Sequence, residues 1–328
     1  MRRSLAIVGS VIATLVVAGI PLSAHALDKV GVVIPRDSVF VLSYFGAKDA
    51  GVFEKFGIDI DIDARPFAGF IASLPSKQTM ATNYPGIEAI EKINEGVAWT
   101  VIGGGLTVVN DVFVRKDSPI KTVADLRGKK VGVFSTGSGS FMSARAALID
   151  ADGLDVVKDT KLVQVAAPAL FKFLQDGSVD AMLNISSFTV EAMSEPDNFR
   201  DLFSPNAYWV KKTGYPIAWA GPLVAWQSWV NENPKRAQEL AAASDAAFRW
   251  LRNPSNFDAA VKKYGELAGV TKPAQIATYK KLLEEKRVFL TTWDKKAVDA
   301  EWKFLGMAQS HGIIMKVPPE SEYALVQK

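Results

Sequence analysis

The chain has 328 residues, with 38 Lys and Arg against 35 Asp and Glu, two His and no Cys. Such a balance lacks the concentrated basic footprint that nucleic-acid binding needs. The missing cysteines exclude thiol nucleophiles, disulfides and Cys-rich metal sites, and the length allows one large domain or two medium ones.

The first 26 residues read as a leader rather than as fold. Met1, Arg2 and Arg3 form a positive start, Leu5 to Ile20 an apolar run, and Ala24, His25 and Ala26 a small-x-small cleavage signal. Cleavage after Ala26 is the expectation, and it removes Arg2 and Arg3, so that the formal charge falls from +3 to +1. His311 is then the only histidine, which excludes two-histidine metal sites. It follows a helical pattern in "AQSHGIIM" and reads as a C-terminal histidine facing the helix dipole rather than as a catalyst.

Beyond the leader, short β-branched runs alternate with helical patterns, which predicts an α/β protein. "KVGVVI" (Lys29–Ile34) is a first strand, and Val39 to Phe56 reads as one helix stopped by Gly57. "IDIDIDA" (Ile58–Ala64) alternates strictly, the mark of a strand with one wet face. "GIEAIEKINEG" predicts a helix, and "WTVIGG" and "DVFVR" two strands. Thr122 and Asp125 have the spacing of a capping box before a short helix. "KKVGVF", "FMSARAALIDADG", "KLVQVA", "FKFLQDG" and "SVDAMLN" continue the alternation, and from Pro234 to Met307 the pattern is mostly helical. Composition shifts after Lys116 and again over Tyr215–Pro234, so the chain crosses twice between two units. The expected division is lobe one at 27–115, lobe two at 116–218, and a return to lobe one at 219–328.

The loop "FSTGSGSF" (Phe134–Phe141) invites three stronger readings, and each fails. Ser138 stands where a P-loop needs lysine, and Met142 where a dinucleotide fingerprint needs its third glycine. Ser138 has Thr136 and Ser140 at the two positions where a nucleophile elbow requires glycine. What remains is a strand, a loop of hydroxyls and a helix start. That is either an anion-favouring cradle or an ordinary capping loop.

"VRKDSPIKTVADLRGKKVGVFSTGS" (Val114–Ser138) resembles the entry to the second lobe of bacterial periplasmic solute-binding proteins. The likeness is to the nitrate, sulfonate, taurine and thiamine-precursor group of ABC importers. "SYFGAKDAGVFEKFGIDIDI" (Ser43–Ile62) and "LFKFLQDGSVDAMLN" (Leu170–Asn184) are similar to further segments of that group. Ser76 to Tyr84, "SKQTMATNY", departs from it by lacking a glycine and an aspartate usual near a ligand loop. The resemblance implies a two-lobed α/β periplasmic-binding-protein fold (type II) with a ligand cleft between lobes, hinge closure and a helical C-terminal segment. It also implies a monomer in the periplasm, no cofactor or metal, and an inner-membrane ABC permease as partner.

Four loops after strands are the expected ligand contacts. Arg36, Ser38 and Phe40 come from the first; Arg36 is either a clamp for a carboxylate or sulfonate or a surface ion pair. Thr82, Asn83 and Tyr84 come from the second, which is equally a capping turn. The third is Ser135, Thr136, Gly137, Ser138, Gly139, Ser140 and Phe141. Asn184, Ser186, Ser187 and Phe188 form the fourth, and Trp219 adds a ring from the return crossing. Neutral donors and rings outnumber arginines in this set, which favours a small organic anion, a sulfonate or carboxylate with an aromatic body among them. The expected function is capture of that solute for an ABC importer, with no catalysis. A sensory subunit for a membrane receptor is the alternative. An enzyme on the same fold is disfavoured, because the pyrimidine-synthesising and desulfinase relatives are associated with cysteine.

Overall fold

The computed structural model describes residues 27–74, 79–84 and 86–327. The leader and its cleavage site, and Ser76 to Gln78 of the divergent segment, lie outside the described residues. Among those described, no helix is long and apolar enough to cross a membrane.

In chain order, the first unit is β1 (Asp28–Pro35), α1 (Val39–Asp49), β2 (Ile58–Arg65), α2 (Phe67–Ser73), β3 (Ala81–Asn83), α3 (Glu88–Asn94) and β4 (Trp99–Leu106). The second is β5 (Val112–Arg115), β6 (Lys130–Val133), α4 (Gly139–Asp152), α5 (Val156–Asp159), β7 (Lys161–Gln164), α6 (Ala167–Asp176), β8 (Ala181–Leu183), α7 (Ser186–Met193), β9 (Phe199–Phe203) and α8 (Pro205–Thr213). Then come β10 (Gly221–Trp226), α9 (Gln227–Glu232), α10 (Pro234–Leu251), α11 (Pro254–Ala268), α12 (Pro273–Glu284), α13 (Lys295–Ser310) and α14 (Glu320–Tyr323).

Two five-stranded sheets result, in the orders β2-β1-β3-β10-β4 and β7-β6-β8-β5-β9. In each, the second strand runs parallel to both neighbours, and the fourth is antiparallel to the strands beside it. That fourth strand is the one that has just crossed from the other lobe. This is the two-lobed α/β periplasmic-binding-protein fold. β5 pairs with β8 and β9, so the first crossing occupies residues 107–111, and "DVFVR" belongs to the second sheet rather than the first. Periodicity marks a strand but does not name its partners.

Both faces of the β1 strand are covered, which explains its unbroken apolar run. Val30, Val32 and Ile34 pack under α1, α10 and α11, while Val33 joins a second core with α3 and α13. β2 is the edge strand, and its aspartates 59 and 61 are exposed beside buried Ile58 and Ile60. The predicted helix at Val39–Phe56 ends instead at Asp49. Gly51 adopts φ +66°, and only a short 3-10 turn, Glu54–Phe56, follows. The capping box at Thr122 and Asp125 is formed.

The tail helices reach across both lobes. Trp209 of α8 meets Phe304 of α13 edge-on at 5.1 Å, Lys272 at the start of α12 pairs with Glu191 of α7, and His311 lies 3.6 Å from Asp150 of α4. At the first crossing, Asp111 accepts a hydrogen bond from Ser204 at 2.8 Å and faces Arg287 at 3.4 Å. Burial raises its pKa, and Asp201 nearby adds to the rise.

Candidate functional site

A cleft of about 250 Å³ opens between the lobes, walled by the first loop, β3, α3, the starts of α4 and α7, and α12. Helices α1, α4 and α7 all begin there. Each helix start carries backbone N–H groups without intrahelical partners and a partial positive charge. Ser38 caps α1 by accepting from Phe40 N at 3.1 Å, and Ser138 caps α4 by accepting from Phe141 N at 3.3 Å. No side chain caps α7, where Ser186 and Ser187 are its first two residues.

Asp37 holds the first loop in a left-handed conformation at φ 57°, the kind of strained backbone that collects at binding loops. Its amide donates to Leu267 O at 3.1 Å, which ties the loop to the end of α11. Arg36 is half exposed, and its nearest acid is Asp37 at 3.8 Å, so its guanidinium is not committed to a close ion pair.

Across the cleft the lobes touch backbone to backbone. A Cβ placed on Gly139 would lie 2.6 Å from Gly86 Cα, and one placed on Gly86 would lie 2.3 Å from Trp219 O. Gly86 also has φ +54°, so both space and conformation call for glycine there.

The structure brings together Arg36, Ser38, Phe40, Asn83, Ser138, Gly139, Ser140, Ser186 and Ser187 as lining residues. Phe40 is nonetheless mostly sunk among Phe248 and Phe289. Asn83 is buried and engaged on both ends, accepting from the Tyr44 hydroxyl at 2.8 Å and donating to Gly221 O at 3.1 Å.

The other predicted residues stand back from the lining. Ser135, Thr136 and Gly137 form a turn that faces β7, with Thr136 Oγ1 3.4 Å from Gln164. Phe141 is in the core of lobe two, and Phe188 packs on Phe171. Asn184 donates to Ala167 O at 2.9 Å and accepts from Ile185 N at 2.9 Å, buttressing the loop behind the lining. Thr82 is buried in the sheet. Tyr84 packs on Trp99 at 4.8 Å, with burial raising its pKa, and Trp219 is wholly buried against Trp302.

Sequence reasoning missed Glu88, Tyr279, Phe134, Leu106 and Ile185, all of which line the cleft. Phe134 stands in the quoted hydroxyl loop and Ile185 between Asn184 and Ser186 of the fourth, so both lay inside the windows already chosen and were passed over for their neighbours. Glu88 and Tyr279 lie on helices, and only the assembled lobes bring them to the same space.

The NMT1/THI5-like family profile matches residues 41–256. Among solved structures, the periplasmic aliphatic sulphonate binding protein SsuA from Escherichia coli is 17% identical at TM-score 0.70, covering 92% of each chain. The periplasmic sulfonate-binding protein SsuA of a putative sulfonate ABC transporter from Methylobacillus flagellatus KT is 18% identical at TM-score 0.67, again with 92% of each chain. The desulfurization enzyme DSZB is 15% identical at TM-score 0.59, over 91% of this chain and 96% of that one. Identities this low carry the fold alone, whereas the family profile spans well over half of the sequence. By that match the chain belongs to the NMT1/THI5-like family, built on the two-lobed fold of the solute-binding components of ABC importers.

Proposed function

We propose that the protein captures a small organic anion, a carboxylate or sulfonate with an apolar body, by closing its two lobes around it. Family membership gives the coarser role: an extracytoplasmic, non-catalytic binding component that hands a small molecule to an ABC permease. The single observation behind the finer reading is the convergence of three helix starts, with Ser38, Ser138, Ser140, Ser186 and Ser187, on one inter-lobe cleft. Helix starts favour negative charge, and Arg36 adds a planar donor suited to a two-oxygen head. Phe40, Phe134, Leu106, Ile185 and Tyr279 supply the apolar wall. DSZB shares the fold, so the fold does not exclude chemistry; this chain brings no thiol to such a site.

Thermal unfolding of residues 27–328 against alkyl and aryl sulfonates, carboxylates, nitrate and neutral pyrimidines tests the reading. A ligand at about 100 times its dissociation constant adds roughly 2.7 kcal/mol of stability. The expected result is a shift confined to organic anions. A shift with neutral heterocycles only, or with nitrate only, refutes the ligand class.

A further inference from the structure

Glu88 brings a carboxylate into a cleft whose helix starts favour an anion. It opens α3 from the lobe-one side and is half buried. Among the described residues, its one hydrogen-bond donor is the Tyr84 hydroxyl, 3.3 Å from Oε1. An ionised carboxylate has about four acceptor sites, so most of its capacity is not taken up by the described residues, and the residue lines the cleft. Burial raises its pKa, against the pull of Tyr84 and Lys92, and Glu95 adds to the rise.

The charge balance sharpens the point. Among the described residues, Arg36 is the only cation lining the cleft, against Asp37 and Glu88. A purely anionic ligand would meet a net negative wall. A favourable acid in the first turn of α3 needs no burial to serve the helix dipole, and α3 already carries Glu91 in that turn. The placement of Glu88 therefore leaves room for a partner beyond the Tyr84 hydroxyl, which the other described residues do not supply.

We infer that Glu88 is a specificity-determining residue: with the anionic head of the solute at the starts of α1, α4 and α7, its carboxylate accepts hydrogen bonds from a protonated nitrogen elsewhere on the same molecule. The inference rests on the organic-anion reading above and adds to it that the solute is dipolar.

The test uses matched pairs that differ only in an amine: ethanesulfonate and 2-aminoethanesulfonate, butanoate and 4-aminobutanoate, benzoate and 4-(aminomethyl)benzoate. Each is titrated calorimetrically into residues 27–328 and into Glu88→Gln, which keeps the shape and an acceptor for Tyr84. In at least one pair the amine should bind tenfold or more tighter to the native chain, and that ratio should collapse towards one in the variant. The native chain alone gives a second readout. In the sulfonate pair, whose head stays ionised throughout, binding of the amine should weaken as pH falls from 7 to 4 and the Glu88 carboxylate takes up a proton, whereas binding of ethanesulfonate should strengthen. Tyr84 and Lys92 keep their charge state over that range. Arg36, Asp37, Glu91 and Glu95 are common to both proteins, so the difference between native and variant isolates Glu88. Equal or tighter binding of the amine-free partners, or a preference that survives Glu88→Gln, overturns the inference while leaving the organic-anion reading intact. If no member of any pair binds either protein, the organic-anion reading fails and this inference falls with it.

Discussion

Replacing Gly139 by alanine should weaken ligand binding without weakening the fold. The added Cβ would sit 2.6 Å from Gly86 Cα and 2.9 Å from Ile87 N, both across the cleft on lobe one. Comfortable carbon contacts are about 3.5–4.0 Å, so the closed seam must part by about 1 Å. Overpacking of this kind costs about 1–3 kcal/mol. That is roughly a 5- to 150-fold shift from closed to open, and the apparent dissociation constant rises by about the same factor. Gly139 opens α4 and carries no left-handed backbone requirement, so alanine suits the helix itself at least as well. The unliganded melting temperature should therefore hold or rise slightly. Gly137→Ala is the internal control, because its nearest neighbour would be Ser135 Oγ at 4.0 Å. Calorimetry with a ligand from the screen gives the affinity, and small-angle scattering of the saturated protein gives the lobe separation. Affinity within twofold of native, with unchanged scattering, would refute the view that this seam limits closure.

Arg36→Ala should raise the dissociation constant about tenfold or more, since a hydrogen bond to a charged group is worth about 1.5–3 kcal/mol. Its melting temperature should stay put, and unchanged affinity would remove the clamp. Asn83→Ala should cost about 1–3 kcal/mol, because the buried Tyr44 hydroxyl and Gly221 O each lose a partner; a thermal shift under one degree would contradict that. Glu301 is wholly buried on α13, where it accepts from Ala218 N at 3.0 Å, and burial raises its pKa well above the ordinary value. The folded state thus holds a proton that the unfolded chain releases near pH 4.3, and native stability falls as pH rises past that point. Glu301→Gln keeps the acceptor and cannot titrate, so its advantage in melting temperature should widen between pH 4 and pH 8. A constant gap would show that Glu301 does not hold that proton.

Local pattern went far with this chain where the physics is local. The alternation in Ile58–Ala64, the capping box at Thr122 and the amphipathic tail helices all depend on neighbours within a few residues. Where distant partners decide, it fell short. The residues of "DVFVR" look the same in either sheet, and only the pairing of Phe113 with Met182 and of Val114 with Ala181 assigns them to lobe two. Phe53 and Phe56 extend the apolar period of α1 past Gly51, although Phe53 is buried from a turn. The hydroxyl loop was legible as a group but not in its halves. Ser138 and Ser140 face the cleft while Ser135 and Thr136 turn to β7, a choice set by the register of one turn. Glu88 carried no motif at all, since it matters only through what stands opposite.

The exchange of strands between the lobes also sets an order of assembly. Lobe two holds its borrowed strand first, because β5 precedes β6 to β9, and its sheet can be finished once residue 203 has left the ribosome. Lobe one waits longer: β3 and β4 flank an empty lane until β10, ending at residue 226, arrives to fill it. The earlier-made half of the molecule is thus the later to be completed. For more than two thirds of translation, the nascent chain is barred from closing its first sheet.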